Sequence, residues 1–152
     1  MTISTVSQPP DKVSCGYYAG YAVSVVNAAG EFTPQLPMTG ADVESARNRF
    51  ENPKSFLMPE IAPHYLNGIL RVRVRYRNSD SRRVGQRDVS NCLNAGRAMM
   101  LGTQSHWIAL VAMDDQSTIT VYNSAGKEGR IIDIMPLNMI VHWPYLVHPI
   151  AW

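Results

Sequence analysis

The chain has 152 residues and a mass of 16.9 kDa, enough for one domain with a real core and too little for two of ordinary size. Its 45% hydrophobic and 17% charged residues, with three Trp, seven Tyr and three Phe, exclude wholesale disorder and a coiled coil. A net charge of +2 is too small to imply a nucleic-acid partner by itself, and two cysteines, Cys15 and Cys92, cannot make a disulfide framework.

Residues 1–12 are polar, carry Pro9-Pro10 and lack the basic and apolar regions of a secretory signal. They are a candidate flexible segment. The nearly uncharged stretch 13–30 is interrupted by Ser14, Ser24, Asn27 and three glycines, which is poor material for a membrane span. The expectation is a soluble protein, cytoplasmic or exported as an effector by a route that needs no signal peptide. Ser14 is the expected N-cap of a buried helix over residues 15–29, with Tyr18, Ala22, Val25, Val26 and Ala29 at three-to-four spacing and Gly30 as its C-cap. A second, amphipathic helix is expected over 41–50, with Val43, Ala46 and Phe50 on one face and Pro53 as its stop, and a short helix around 60–67. Residues 69–77 alternate Val72, Val74 and Tyr76 with Arg71, Arg73, Arg75 and Arg77, the pattern of a strand with one buried face. A polar loop and a short helix over 88–95 follow. Strands are expected over 97–101, 106–113 and 118–123, the last two joined by a turn at Asp114-Asp115-Gln116-Ser117, with another over 130–134. The apolar tail 136–152 is expected to pack back onto the sheet. Helices first and an antiparallel sheet second define an α+β domain.

A thiol is a strong nucleophile only as thiolate, a form favoured at a helix N-terminus and beside an imidazole. Cys15 stands at the predicted start of the first helix, and its pKa is expected to be lowered there. His106 opens the apolar strand Trp107-Ile108-Ala109-Leu110, where a sheet edge would present a base rigidly. Asn123 lies at the end of the next strand across a hairpin, placed to orient that imidazole. The backbone amide of Cys15 and the side chain of Gln8, seven residues earlier, are candidate donors to the oxyanion of an acyl-transfer intermediate.

Gln8 before Cys15-Gly16, then Ser105-His106-Trp107, then Tyr122-Asn123-Ser124-Ala125-Gly126 resembles the papain-like cysteine peptidases. Within that superfamily the sequence is most similar to the short bacterial branch that trims bacteriocin leaders and to related effector proteases. A Leu-x-x-Gly-Arg-like stretch at Leu93 to Arg97 also resembles that branch, although Ala98 stands where proline is usual. The resemblance implies a papain-like fold, N-terminal helices packed on a C-terminal antiparallel sheet. It implies Cys15 as nucleophile, His106 as base and acid, Asn123 as orienter and Gln8 as oxyanion donor. It also departs from the family: the Gln-to-Cys spacing is one residue longer than usual, and Asn123 replaces the Asp commoner in the bacterial branch. In a different group, the deSUMOylating and adenovirus-type enzymes, the nucleophile follows the His, and no cysteine follows His106 here.

The expected activity is hydrolysis of an amide bond in a protein or peptide through a thioester. Glutamine deamidation or acyl transfer, as in small toxins, is the first alternative. A non-catalytic binding module using the arginine face is the second. Arg73 and Arg75, from a cluster that holds seven of the 14 Lys+Arg residues (Arg71, Arg73, Arg75, Arg77, Arg82, Arg83, Arg87), and Trp107 beside the base are the candidate substrate contacts. Specificity loops are expected at 31–39, 77–87 and 102–105. Apart from Tyr76, no aromatic interleaves the arginines as base stacking would require, so nucleic acid is not expected. His64, His142 and His148 lack metal-ligand spacing, and neither a metal nor another cofactor is expected. Cys92 reads as a small core residue, and the oligomeric state is left open.

Overall fold

The structure, a computed structural model, describes residues 1–11, 13–50, 55–78, 85–126 and 129–149, the side chains of 77 and 78 excepted. Pro53, Arg82 and Arg83, and most of the expected loop at 77–87, lie outside the described residues. The elements, in chain order, are α1 (Cys15–Ala29), α2 (Gly40–Asn48), α3 (Ala62–His64), a π-helical turn at Tyr65–Ile69, β1 (Val74–Asn78), α4 (Gln86–Asn94), β2 (Met99–Gly102), β3 (Trp107–Met113), β4 (Thr118–Tyr122), β5 (Ile132–Pro136), a 3-10 helix at Leu137–His142 and β6 (Tyr145–Pro149). The fold is α+β, with N-terminal helices packed against a six-stranded sheet in the order β1-β6-β2-β3-β4-β5. Every strand pair is antiparallel.

β3 explains why its sequence reads as an unbroken apolar run. Trp107, Ala109 and Val111 enter the core beneath α1, whereas Ile108 and Leu110 enter a second core beneath α4 and the 3-10 helix. The pleat sends successive side chains to opposite faces, and both faces are covered, so no polar residue is tolerated in between. β2 divides in the same way, with Met100 on the first side and Met99 and Leu101 on the second. α1 crosses β2 and β3 and is buried through Tyr17, Tyr18, Ala22, Val23 and Val26 before Gly30, at φ 84°, closes it with an N–H bond to the Val26 carbonyl. Tyr17, Phe50 and Tyr65 pack edge to face at centroid distances of 5.1–6.3 Å, locking α1 to the segments after α2 and α3.

Three expectations are corrected. The strand expected from residue 69 begins at Val74, because residues 65–69 wind into a π-helical turn. The Asn67 side chain then clamps Val74, accepting from its N–H at 2.8 Å and donating to its carbonyl at 3.1 Å. The C-terminal tail lies on the sheet only in part: Leu137, Ile140 and Trp143 pack on its second face, whereas the last described residues join the sheet. Residues 145–149 form β6 inside it, between β1 and β2. The polar N-terminal segment is tied in rather than loose: Ile3 and Val6 are core residues, and the Tyr122 hydroxyl donates to the Val6 carbonyl at 2.7 Å.

Candidate active site

Helix α1 begins at Cys15 as expected, but its cap differs from the one expected. Ser14 sits in helical backbone and makes no side-chain cap bond. Asp11 caps the helix instead: its Oδ1 accepts from the N–H groups of Val13 and Ser14 at 3.0 and 2.8 Å. The Ser14 hydroxyl donates to Asp11 Oδ2 at 2.7 Å and accepts from Arg47 Nη1 at 2.7 Å. Buried Arg47 also lies 3.5 Å from Glu44 and 4.7 Å above the Tyr17 ring, and Glu44 accepts the Tyr18 hydroxyl at 2.6 Å. A cation otherwise costly to bury is thus compensated on several sides. Burial pushes Asp11 up, yet the bonds from Ser14 and Val13 and the Arg47 charge outweigh it and hold the carboxyl below its usual range.

With Asp11 holding the preceding amides, the N–H groups of Cys15 and Gly16 are left for the Cys15 sulfur, which the N–H of Trp107 also faces. That last contact joins the first turn of α1 to the peptide immediately after His106. Burial nevertheless dominates and pushes the Cys15 thiol up, with Asp11 adding to the effect and the three N–H groups opposing it. The expected lowering by the helix terminus does not appear, because desolvation of a thiolate in this seat outweighs the dipole.

His106 sits at the mouth of β3 on a turn closed by the Thr103 N–H on the His106 carbonyl at 2.9 Å. Its Nε2 lies 3.1 Å from Asn123 Oδ1. The Ala125 N–H donates to the same Oδ1 at 3.2 Å, which identifies that atom as the carbonyl oxygen of the amide. An oxygen can only accept, so Nε2 carries the proton and Nδ1 keeps its lone pair. Burial lowers the His106 pKa from its ordinary value, partly offset by the bond to Asn123. Thiol and imidazole are therefore both biased toward their neutral forms at rest. The indole of Trp143 stands 6.1 Å from the imidazole, tilted by 51°.

Gln8 is held rigidly. Its backbone N–H bonds the Ser124 carbonyl at 2.9 Å, its Oε1 accepts from the buried Ser124 hydroxyl at 2.6 Å, and its Nε2 donates to the Asp11 carbonyl at 3.3 Å. One amide hydrogen remains. Gln8, Cys15 and His106 line one cleft of about 390 Å³ together with Asp11, Phe56, Gln104, Ser105 and Ala125. Phe56 is also a wall of an adjoining pocket of about 480 Å³, lined by apolar side chains including Leu57, Met58 and Ile61.

The structure thus brings together Cys15, His106, Asn123 and Gln8, and it does not bring the three expected substrate contacts to them. The Trp107 side chain is fully buried, its Nε1 donating to the Leu57 carbonyl at 2.7 Å, so it meets the cleft only through its backbone. Arg73 lines a separate pocket at the other end of α1, and Arg75 lies on the edge strand β1 opposite His148. Of the expected specificity loops, 102–105 reaches the cleft through Gln104 and Ser105, whereas none of residues 31–39 lines it. Asp11, Ser14, Arg47, Phe56 and Trp143 were not singled out as functional from the sequence. Asp11 and Ser14 form a local turn like many others, and what marks it, the Arg47 bond, comes from 33 residues away; the neighbours of Phe56 and Trp143 at the site are likewise distant in the chain.

Solved structures share this arrangement of elements. The crystal structure of UfSP from C. elegans superposes with a TM-score of 0.55 at 12% identity, over 92% of this chain and 30% of that one. A double glycine motif protease from an AMS/PCAT transporter, solved in complex with its leader peptide, superposes with a TM-score of 0.51 at 9% identity, over 96% of this chain and 91% of that one. The fold is that of the papain-like cysteine peptidases. No protein-family model and no curated protein matches the sequence. This papain-like chain spans less than a third of the C. elegans protein and most of the transporter protease. Among the described residues no helix is long and apolar enough to cross a membrane.

Proposed function

We propose that this papain-like chain, acting as one domain, is a thiol-dependent amide hydrolase that cleaves a peptide bond in a peptide or protein substrate. What supports the reading above all is the polarity of the His106–Asn123 bond: with Nε2 committed to a carbonyl oxygen, the only basic atom of the imidazole is Nδ1, in a cleft it shares with Cys15. That a double glycine motif protease of similar fold is solved in complex with its leader peptide supports a peptide as the substrate class.

As Cys15 Sγ attacks the carbonyl carbon, Nδ1 of His106 takes the thiol proton. The remaining amide hydrogen of Gln8 and the N–H of Cys15 stabilise the oxyanion. The tetrahedral intermediate collapses, the C–N bond breaks, and the imidazolium gives its proton to the departing amine. Water, deprotonated by the same nitrogen, then hydrolyses the thioester and restores the thiol. Because thiol and imidazole rest neutral, proton transfer accompanies attack instead of preceding it.

The test is incubation with a proteome-derived peptide mixture, with new N-termini mapped by mass spectrometry and ammonia followed in parallel. New N-termini that vanish in Cys15→Ala are expected. Ammonia release without them would assign the site to side-chain deamidation instead.

A further inference from the structure

The arginine-rich segment that the cleft leaves unused forms a second concave site. Arg71, Arg73 and Arg97 line a pocket of about 330 Å³ with Ser24, Asn27 and Pro149. It lies twelve residues along α1 from Cys15, roughly 18 Å at 1.5 Å per residue. Among the described residues no carboxylate lines it, and no ion pair joins any of the three arginines to a described acid. Three positive charges therefore stand together in a chain whose whole net charge is +2. The C-terminal end of α1 offsets only about half a charge.

The walls are fixed in advance. Asn27 Oδ1 accepts the Ala98 N–H at 2.7 Å and Asn27 Nδ2 donates to the Ala98 carbonyl at 3.4 Å, which pins the backbone beside Arg97 to α1. On the other wall, Arg71 is held at φ 60°, a left-handed conformation uncommon for a residue with a side chain. It is followed by Val72, whose N–H bonds the Leu66 carbonyl at 2.9 Å, and by the Asn67 clamp on Val74. Strain of this kind persists where the surroundings over-determine it, and it concentrates at ligand sites.

We propose that this pocket binds a small anion bearing two or more phosphate charges, held by Arg71, Arg73 and Arg97. Guanidinium forks match phosphate oxygens two at a time, and one such group carries about 1.5 to 2 negative charges. The volume has room for a pyrophosphate-sized group.

Titration calorimetry with pyrophosphate at constant ionic strength tests the proposal, with citrate and sulfate as competing anions. Saturable binding of one pyrophosphate per chain is expected, weakened at least tenfold in the double variant Arg71→Ala/Arg73→Ala and unchanged in Arg75→Ala, which removes an exposed charge outside the pocket. Far-UV circular dichroism verifies that these surface variants fold. Absence of saturable binding, an equal loss in Arg75→Ala, or citrate binding as tightly as pyrophosphate would each overturn it. None of these readings depends on the proposed peptidase activity.

Discussion

At the scale of single residues, the proposed chemistry turns on one imidazole whose protonation is set by two opposing neighbours. Burial holds the His106 pKa below its ordinary 6.5, and the Asn123 bond pulls it partway back. Neutral His106 is the base, so kcat/KM is expected to fall on the acid side with an apparent pKa below 6.5 and to be level around pH 7. The same depression sets the sign for stability. As pH falls through 6.5 the unfolded chain binds a proton that the folded chain resists, so the contribution present above 6.5 is lost toward lower pH. Replacing Asn123 by Ala removes the orienting acceptor and the pull upward. Peptide cleavage should drop by roughly 10–100-fold, and the acid limb should move to still lower pH. A pH-rate profile of both proteins checks the two together. Cys15, His106 and Asn123 were legible from residue type and order, since a helix start, a strand start and a hairpin end are local features. The raised Cys15 pKa was not, because desolvation depends on what the fold stacks over the sulfur.

At the scale of elements, the cleft depends on how closely α1 approaches β3. A Cβ added at Gly16 would lie 2.8 Å from Leu57 Cβ and 2.9 Å from the Trp107 ring, and neither side chain has room to yield in the core. Gly16→Ala is therefore expected to destabilise the protein by about 1–3 kcal/mol, measured as a lowered midpoint in urea with an unchanged slope. It should also push the first turn of α1 away from the Trp107 amide. The helices of the first half and strands β3 and β4 followed their periodicity closely. β6 did not: its place between β1 and β2 is a pairing with strands distant in the chain, and no local pattern records which edges a strand joins. The arginine alternation at 71–77 likewise read as a longer strand, because the Asn67 clamp that delays it is a side-chain effect invisible to a period-two pattern.

At the scale of the whole molecule, a polar chain that is buried at Arg47 and Ser14 and exposed at Asp11 links the helical layer to the proposed oxyanion donors. It runs from Glu44 through Arg47, Ser14 and Asp11 to the Gln8 amide. Arg47→Met would leave Ser14 and Asp11 without their cation at a site 6% exposed. The expected cost is about 1–2 kcal/mol, since Asp11 and Glu44 remain solvated and the main loss is the charged bond to buried Ser14, read as a fall in thermal midpoint. The central claim is that folding makes one reacting unit of Cys15 and His106. Intact-mass kinetics of iodoacetamide labelling test it directly, with Cys92, buried and pushed up to about 12, as the internal reference. Cys15 should label at least tenfold faster than Cys92 at pH 7.5, and His106→Ala should abolish that advantage while leaving Cys92 unchanged. Equal rates at the two cysteines, or a Cys15 rate indifferent to His106, would contradict the account.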